Sequence, residues 1–345
     1  MEQALGKEYE LSLHRITKNN GLILDGLCIS KDKNPVAPAI YLNNCYHQYL
    51  EGCSLEEITQ ELLELYRSNE ALPTIHPARL SDYSAMKSRT ACRLINTAAN
   101  ETLLQDMPHI PWNDLSIVFY LFLQENDTGI MTAGIHTSHL NTWGISQDEL
   151  FQAAISNVSQ LFPPSITSMD CILEDLTDSV PDLNRQAMTP FYVLSNTCGI
   201  NGAICMLYPD VLKHFSEGIE RDVLILPSSI HEVLLLPDEE DISYDELSQM
   251  VAQINASEVL PQDRLSNQIY RYSRRLIRLR SYLPACFPSI KAYKRSCCTN
   301  PFIRYSSSSF YLSFIQSLLN PGSRSVYISS IRCPGISKHH SASAI

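Results

Sequence analysis

The stretch Leu224–Pro237, "LILPSSIHEVLLLP", decides the fold class. "DVLIL" and "EVLLL" read as a pair of strands buried on both faces, because such strands are continuously apolar instead of alternating. The insert between them carries Pro227, Ser228, Ser229, His231 and Glu232, and it reads as a hairpin loop of about four to six residues. In that reading Ser228 or Ser229 bonds local backbone. The same residues also suggest acyl-transfer chemistry, with Ser229 as nucleophile, His231 as base and Glu232 beside it. Two features oppose this. The G-x-S-x-G elbow is missing, and His231 and Glu232 at the start of a strand would project to opposite faces.

The same grammar extends outward from this pair. "YELSLHRI", "KNNG" and "LILDGLCIS" form a first hairpin, and "APAIYLN" a third extended piece. Ser54 and Glu57 open a capped helix with Leu55, Ile58, Leu62 and Leu65 along one face. Residues 79–105 read as helical and amphipathic. "DLSIVFYLFL" reads as a buried strand and "IMTAGIH" as its partner, followed by a helix capped by Ser146 and Glu149. "LEDLTDSVPDLNRQAMTP" reads as a linker, "FYVLSN" as a strand, and Ser243 with Glu246 caps a late helix. Strand, turn, strand and capped helix therefore occur twice, over about 115–160 and 221–256. This predicts an α+β fold in which antiparallel strand pairs are covered by capped amphipathic helices. The expected regions are 1–110, a hairpin and helical region; 111–272, holding both strand–strand–helix units; and 273–345, an atypical basic Ser/Cys-rich tail outside any folded domain.

The 345 residues are 44% hydrophobic and 18% charged, which places the chain among ordinary globular proteins. Charge is unevenly spread. From Arg264 onward there are 13 Lys and Arg and no Asp or Glu, leaving positions 1–263 with 13 basic against 37 acidic residues. A reading-frame error in the recorded sequence is the expectation for this tail. The start of the chain lacks the apolar core of a signal peptide, and "FYLSFIQSLL" is about half a membrane span. The expected location is the cytoplasm. The 11 cysteines show no C-x-x-C spacing, so they read as reduced thiols, several buried like Cys205, and not as a zinc site.

Other motifs are weak. His136 and His139 in "HTSHLNTW" have a spacing that lets a helix present both imidazoles to zinc, although the zincin arrangement of i and i+4 with an intervening Glu is missing. Thr137 or Ser138 reads as the N-cap, leaving His136 in the preceding strand. The run Asp238, Glu239, Glu240, Asp241 lacks the calcium-loop pattern and reads as a solvated loop. Neither phosphate-binding glycine motif is present, and no cofactor is expected. The basic tail with its interleaved tyrosines suggests nucleic-acid binding, which the acidic body opposes.

"ITKNNGLILDGLCI", "PAIYLNNCYHQYLEGCSLEEI", "PHIPWNDLSIVFY", "HTSHLNTWGISQDELF", "YPDVLKHF" and "LPSSIHEVLLLPD" together resemble the bacterial family known as domain of unknown function 5688, over about residues 1–272. A more distant similarity points to domain of unknown function 1444. Against the family pattern, the helix before the first hairpin is expected to be shortened. Neither resemblance implies a reaction or a site residue. The reading that follows is a cytoplasmic, non-catalytic module that binds a protein or a small ligand. One alternative is a metal-dependent hydrolase assembled from His136, His139, His231 and Glu232. A second is nucleic-acid binding through the tail.

Overall fold

The computed structural model describes residues 2–31, 38–69, 77–126, 129–176, 191–227, 229–239, 243–276, 278–281 and 343–344. The expectations for the tail concern residues that lie almost wholly outside this set, as does most of the expected linker. The fold is α+β, built on two sheets.

The first sheet begins with the predicted hairpin, β1 (Tyr9–Thr17) and β2 (Ile23–Lys31), followed by β3 (Pro38–Tyr41). Asn20 takes the left-handed conformation (φ 58°) that the turn requires and that Asn tolerates better than most residues. The helix Leu55–Asn69 starts on the predicted cap: Ser54 and Glu57 exchange hydrogen bonds, with Glu57 N donating to Ser54 Oγ at 3.2 Å and Ser54 N donating to Glu57 Oε2 at 2.9 Å. Its Tyr66 packs against Leu27 and Ile29 of β2.

Four further strands continue this sheet: β4 (Thr90–Asn96), β5 (His109–Trp112), β6 (Leu115–Asn126) and β7 (Gly129–Gly134). β6 pairs antiparallel with β4 along one edge and with β5 and then β7 along the other. The helical reading of residues 79–105 is corrected here. Only short helices, Pro77–Leu80, Tyr83–Met86 and Glu101–Leu104, flank a seven-residue strand. Ala91, Cys92, Leu94 and Ile95 are all fully buried, so apolar residues occupy both faces of β4 and no helical stripe exists.

The second sheet is antiparallel throughout. It contains β8 (Pro164–Ser168), β9 (Tyr192–Asn196), β10 (Val223–Leu226), β11 (Val233–Pro237), β12 (Tyr270–Ser273) and β13 (Arg278–Ser281), in the order β13-β12-β10-β11-β9-β8. The two-residue β14 (Ser343–Ala344) pairs with β3 and β7 of the first sheet.

β10 and β11 explain their own composition. Val223, Ile225, Val233 and Leu235 face the large core shared with β4 and β6. Leu224, Leu226, Leu234 and Leu236 face the opposite way, against Leu247, Val251 and Ile254 of the helix Tyr244–Glu258. At about 1.5–3 kcal/mol per buried aliphatic side chain, these eight residues anchor both layers. The large core runs from Met86 through β6 to Tyr272, so strand pairing and packing both cross the expected boundary at residue 110.

The remaining helices carry the other predicted caps. Ser146 Oγ accepts from Glu149 N at 3.1 Å at the head of Gln147–Leu161, and Ser243 Oγ accepts from Glu246 N at 3.4 Å. Asp238 departs from the solvated-loop reading: its side chain is buried and accepts from Arg271 Nε at 2.7 Å and from Tyr244 OH at 2.6 Å.

Candidate functional site

The Pro227–Glu232 connection is the hairpin loop between β10 and β11, so His231 and Glu232 precede the strand and do not begin it. Both ring nitrogens of His231 are engaged. Nδ1 accepts from Asn201 N at 3.2 Å, and Nε2 lies 3.4 Å from Asp263 Oδ1. Ser229 Oγ accepts from the backbone N–H of His231 at 3.0 Å and does not serve its imidazole. A Ser–His relay needs a ring nitrogen facing the hydroxyl, and this arrangement provides none. The loop is instead tied down from three sides. Ser195 Oγ donates to His231 O at 2.8 Å, Ala203 N donates to Ile230 O, and Ile230 N donates to Asp263 O. Gly202 fits beneath it because a Cβ there would collide with Ser195 Oγ and stand 2.5 Å from His231 O.

His136 and His139 are adjacent, with ring centroids 5.6 Å apart. His136 is the N-cap of the helix Thr137–Trp143, one residue earlier than expected. His139 Nδ1 accepts the backbone N–H of His136 at 2.9 Å, doing the job a Glu performs in a capping box. Its ring stacks on Trp143, whose indole donates to Leu80 O at 2.8 Å. Burial and the neighbouring His136 push the His139 imidazole below its ordinary range, which favours the neutral ring that this acceptor role requires. His136 Nδ1 contacts Asp106 Oδ2 at 2.6 Å on the surface. Among the described residues, no three His, Cys, Asp or Glu side chains are grouped so as to hold a metal. His136 and His139 come together, while His231 and Glu232 belong to a separate loop. Among the described residues, Cys28, Cys45, Cys53, Cys92, Cys171, Cys198 and Cys205 are free thiols, and burial pushes Cys92 and Cys205 upward, away from the reactive thiolate.

A different site matches none of the sequence motifs. Arg93 lies in the middle of β4, with buried Ala91, Cys92, Leu94 and Ile95 on either side in the chain. Its Nε is shielded from solvent and has no hydrogen-bond partner. No carboxylate among the described residues forms an ion pair with it. Lys18, just before the first turn, brings a second cation. Its Nζ stands 4.6 Å from the centre of the Tyr41 ring. Burial first, and then the charge of Arg93, push the Lys18 ammonium down to about 8. Burial likewise disfavours the charged Arg93 guanidinium. Two cations in one desolvated region each make it harder for the other to stay charged, and an anion bound between them would relieve that. The one trace of this site in the sequence is a lone Arg inside the apolar run "TACRLIN".

The turn that carries Lys18 is fixed by an asparagine-rich knot. Asn20 Nδ2 donates to Pro261 O and Arg264 O at 2.8 and 2.7 Å, and Asn20 N donates to Asn100 Oδ1 at 2.8 Å. Asn19 Nδ2 donates to Gln262 O at 2.6 Å, and Asn96 Nδ2 donates to Leu265 O at 2.9 Å. Asp114 accepts from both Ser266 Oγ and Tyr270 OH at 2.6 Å. These bonds hold the first hairpin, the end of β4 and the approach to β12 in one register.

The fold and site therefore define an α+β protein of two antiparallel-rich sheets with a partly buried pair of cations where the first hairpin meets β4. A family model matches residues 1–274, and the chain belongs to that family of unknown function, DUF5688. A relation to family 1444 is not shown. No curated protein and no solved structure matches the chain. Among the described residues, no helix is long and apolar enough to cross a membrane.

Proposed function

We propose that the protein is a non-catalytic binding module whose ligand is a small oxyanion, carboxylate or phosphate, held between Arg93 and Lys18. The observation that carries this reading is the Nε of Arg93, buried without a hydrogen-bond partner in a strand that has apolar alternatives at every neighbouring position. A buried N–H donor left without a partner costs about 1–3 kcal/mol, and an oxyanion accepting from it offsets that cost. The histidine and serine candidates support catalysis less well, because His139 Nδ1 serves a helix cap, both ring nitrogens of His231 have partners, and Ser229 Oγ accepts from local backbone.

Thermal unfolding in the presence of inorganic phosphate, citrate or acetate tests the reading. At a hundred times its Kd an anion adds about 2.7 kcal/mol of stability. Arg93→Met keeps the strand apolar and removes the charge. The expected result is a protein at least as stable as the wild type without anion, and one that no longer gains stability from any of the three. An equal rise of Tm in wild type and variant, or no rise with any anion, overturns the proposal.

A further inference from the structure

The short helix Asn43–Leu50 buries none of its residues. It meets the next helix, Leu55–Asn69, through Gln48, whose Nε2 donates to Glu61 Oε2 at 3.2 Å, with Cys45 also close to Glu61. Its base is anchored where Asn43 Oδ1 accepts from Asp25 N at 2.9 Å. Tyr46, Tyr49 and Leu50 stand at i, i+3 and i+4, so they form one continuous face. They are 61%, 48% and 63% exposed, and Leu55 at the start of the next helix is 65% exposed. Four large apolar side chains within ten residues, none of them contributing to a core, form a patch that isolated surface leucines do not.

The charge around this patch selects its occupant. Between Asn43 and Tyr66 there are five acidic residues, Glu51, Glu56, Glu57, Glu61 and Glu64, and no Lys or Arg. A second copy would set like charges against one another, and an anionic lipid surface would be repelled in the same way. We propose that the Tyr46–Tyr49–Leu50–Leu55 face is a docking surface for a cationic amphipathic helix of a protein partner. Apolar residues of that helix cover the tyrosines and leucines, and its Lys or Arg residues meet the glutamate rim. The surface is independent of the Arg93–Lys18 reading, and either proposal can fail alone.

The test uses the full chain and a fluorescent model peptide of leucine and lysine with apolar positions at helical period. A matched peptide with glutamate in place of lysine is the control. Fluorescence anisotropy is expected to show binding of the lysine peptide only, weakening as salt rises. Tyr46→Ser with Leu50→Ser is expected to weaken it about tenfold or more, while the thermal midpoint stays put because both side chains are exposed. Leu55→Ser, on the neighbouring helix, is expected to weaken it as well. Undiminished binding by the double variant would show that the peptide senses only general acidity and would overturn the proposal. Failure of the lysine peptide to bind would do the same. So would sedimentation showing a dimer that the double variant abolishes, which would assign the face to a second copy.

Discussion

Lys18 illustrates how much one residue's surroundings set its chemistry. Burial and Arg93 hold its pKa near 8, against 10.5 in an unstrained chain. Between those values the unfolded chain carries a proton that the folded one has released, so Lys18 makes the ligand-free protein gain stability as pH rises from about 8 toward 10.5. Anion binding runs the other way. The affinity for phosphate is expected to fall as pH passes about 8, because the bound oxyanion loses one of its two cations while Arg93 stays charged. Lys18→Met should flatten that fall and leave a weaker, nearly pH-independent affinity, read by calorimetric titration on either side of the transition. A steep fall that persists in Lys18→Met would place the titrating group elsewhere. No sequence motif marks this site; a lone Arg in an apolar run is its only trace. Lys18 meets it through the packing of a hairpin turn against a strand some seventy residues later, and no local pattern encodes that. His231 shows the converse. The sequence singled out a serine, a histidine and an acid within four residues, but only the structure reveals that Asn201 and Asp263 engage the ring.

At the scale of the element, local signals were read most faithfully where they act locally. Serine caps at Ser54, Ser146 and Ser243 each accept from the backbone of the Glu three residues on, and each opens a helix of 15 residues. Such a bond is made within one turn, so sequence alone specifies it. Ser243→Ala is expected to cost about 1 kcal/mol, and Ser243→Asp to restore it, as measured by denaturant midpoint at constant slope. A null effect of the alanine would mean that packing through Leu247, Val251 and Ile254 fixes the helix start without its cap. β4 departs from the expected helix for the opposite reason. Its seven residues present apolar groups to both sides and a charged one between them, which matches no amphipathic period. Its strand identity comes from pairing along β6, from Thr90 opposite Leu121 to Asn96 opposite Leu115. Non-local pairing of this kind leaves little trace within a single window of sequence.

Across the whole molecule, two features join what the sequence divided. One is the core that runs unbroken from β4 and β6 into β9, β10, β11 and β12. The other is the asparagine knot, in which a turn near the start of the chain bonds the backbone of residues about 240 positions later. Bringing such distant segments together carries a loop-closure cost that grows only slowly with separation, and several directed hydrogen bonds offset it. Asn20 is central because it supplies both the positive φ and the bonds to Pro261, Arg264 and Asn100. Asn20→Gly keeps the conformation and loses the side-chain bonds, whereas Asn20→Ala loses both. The expected order of stability is wild type, then Gly, then Ala, with a total loss of about 2–4 kcal/mol for Ala. Trp112 and Trp143 report on the first sheet by fluorescence, while far-UV circular dichroism reports on all elements. In the wild type the two signals should change together, since one core spans both sheets. If Asn20→Ala leaves stability unchanged, the knot follows the fold instead of holding it, and the shared core alone couples the first hairpin to the rest. If the loss occurs while the tryptophan transition stays in place, the hairpin unfolds as its own unit. The Lys18 side of the anion site would then come and go with that local equilibrium, and ligand binding would be the force that closes it.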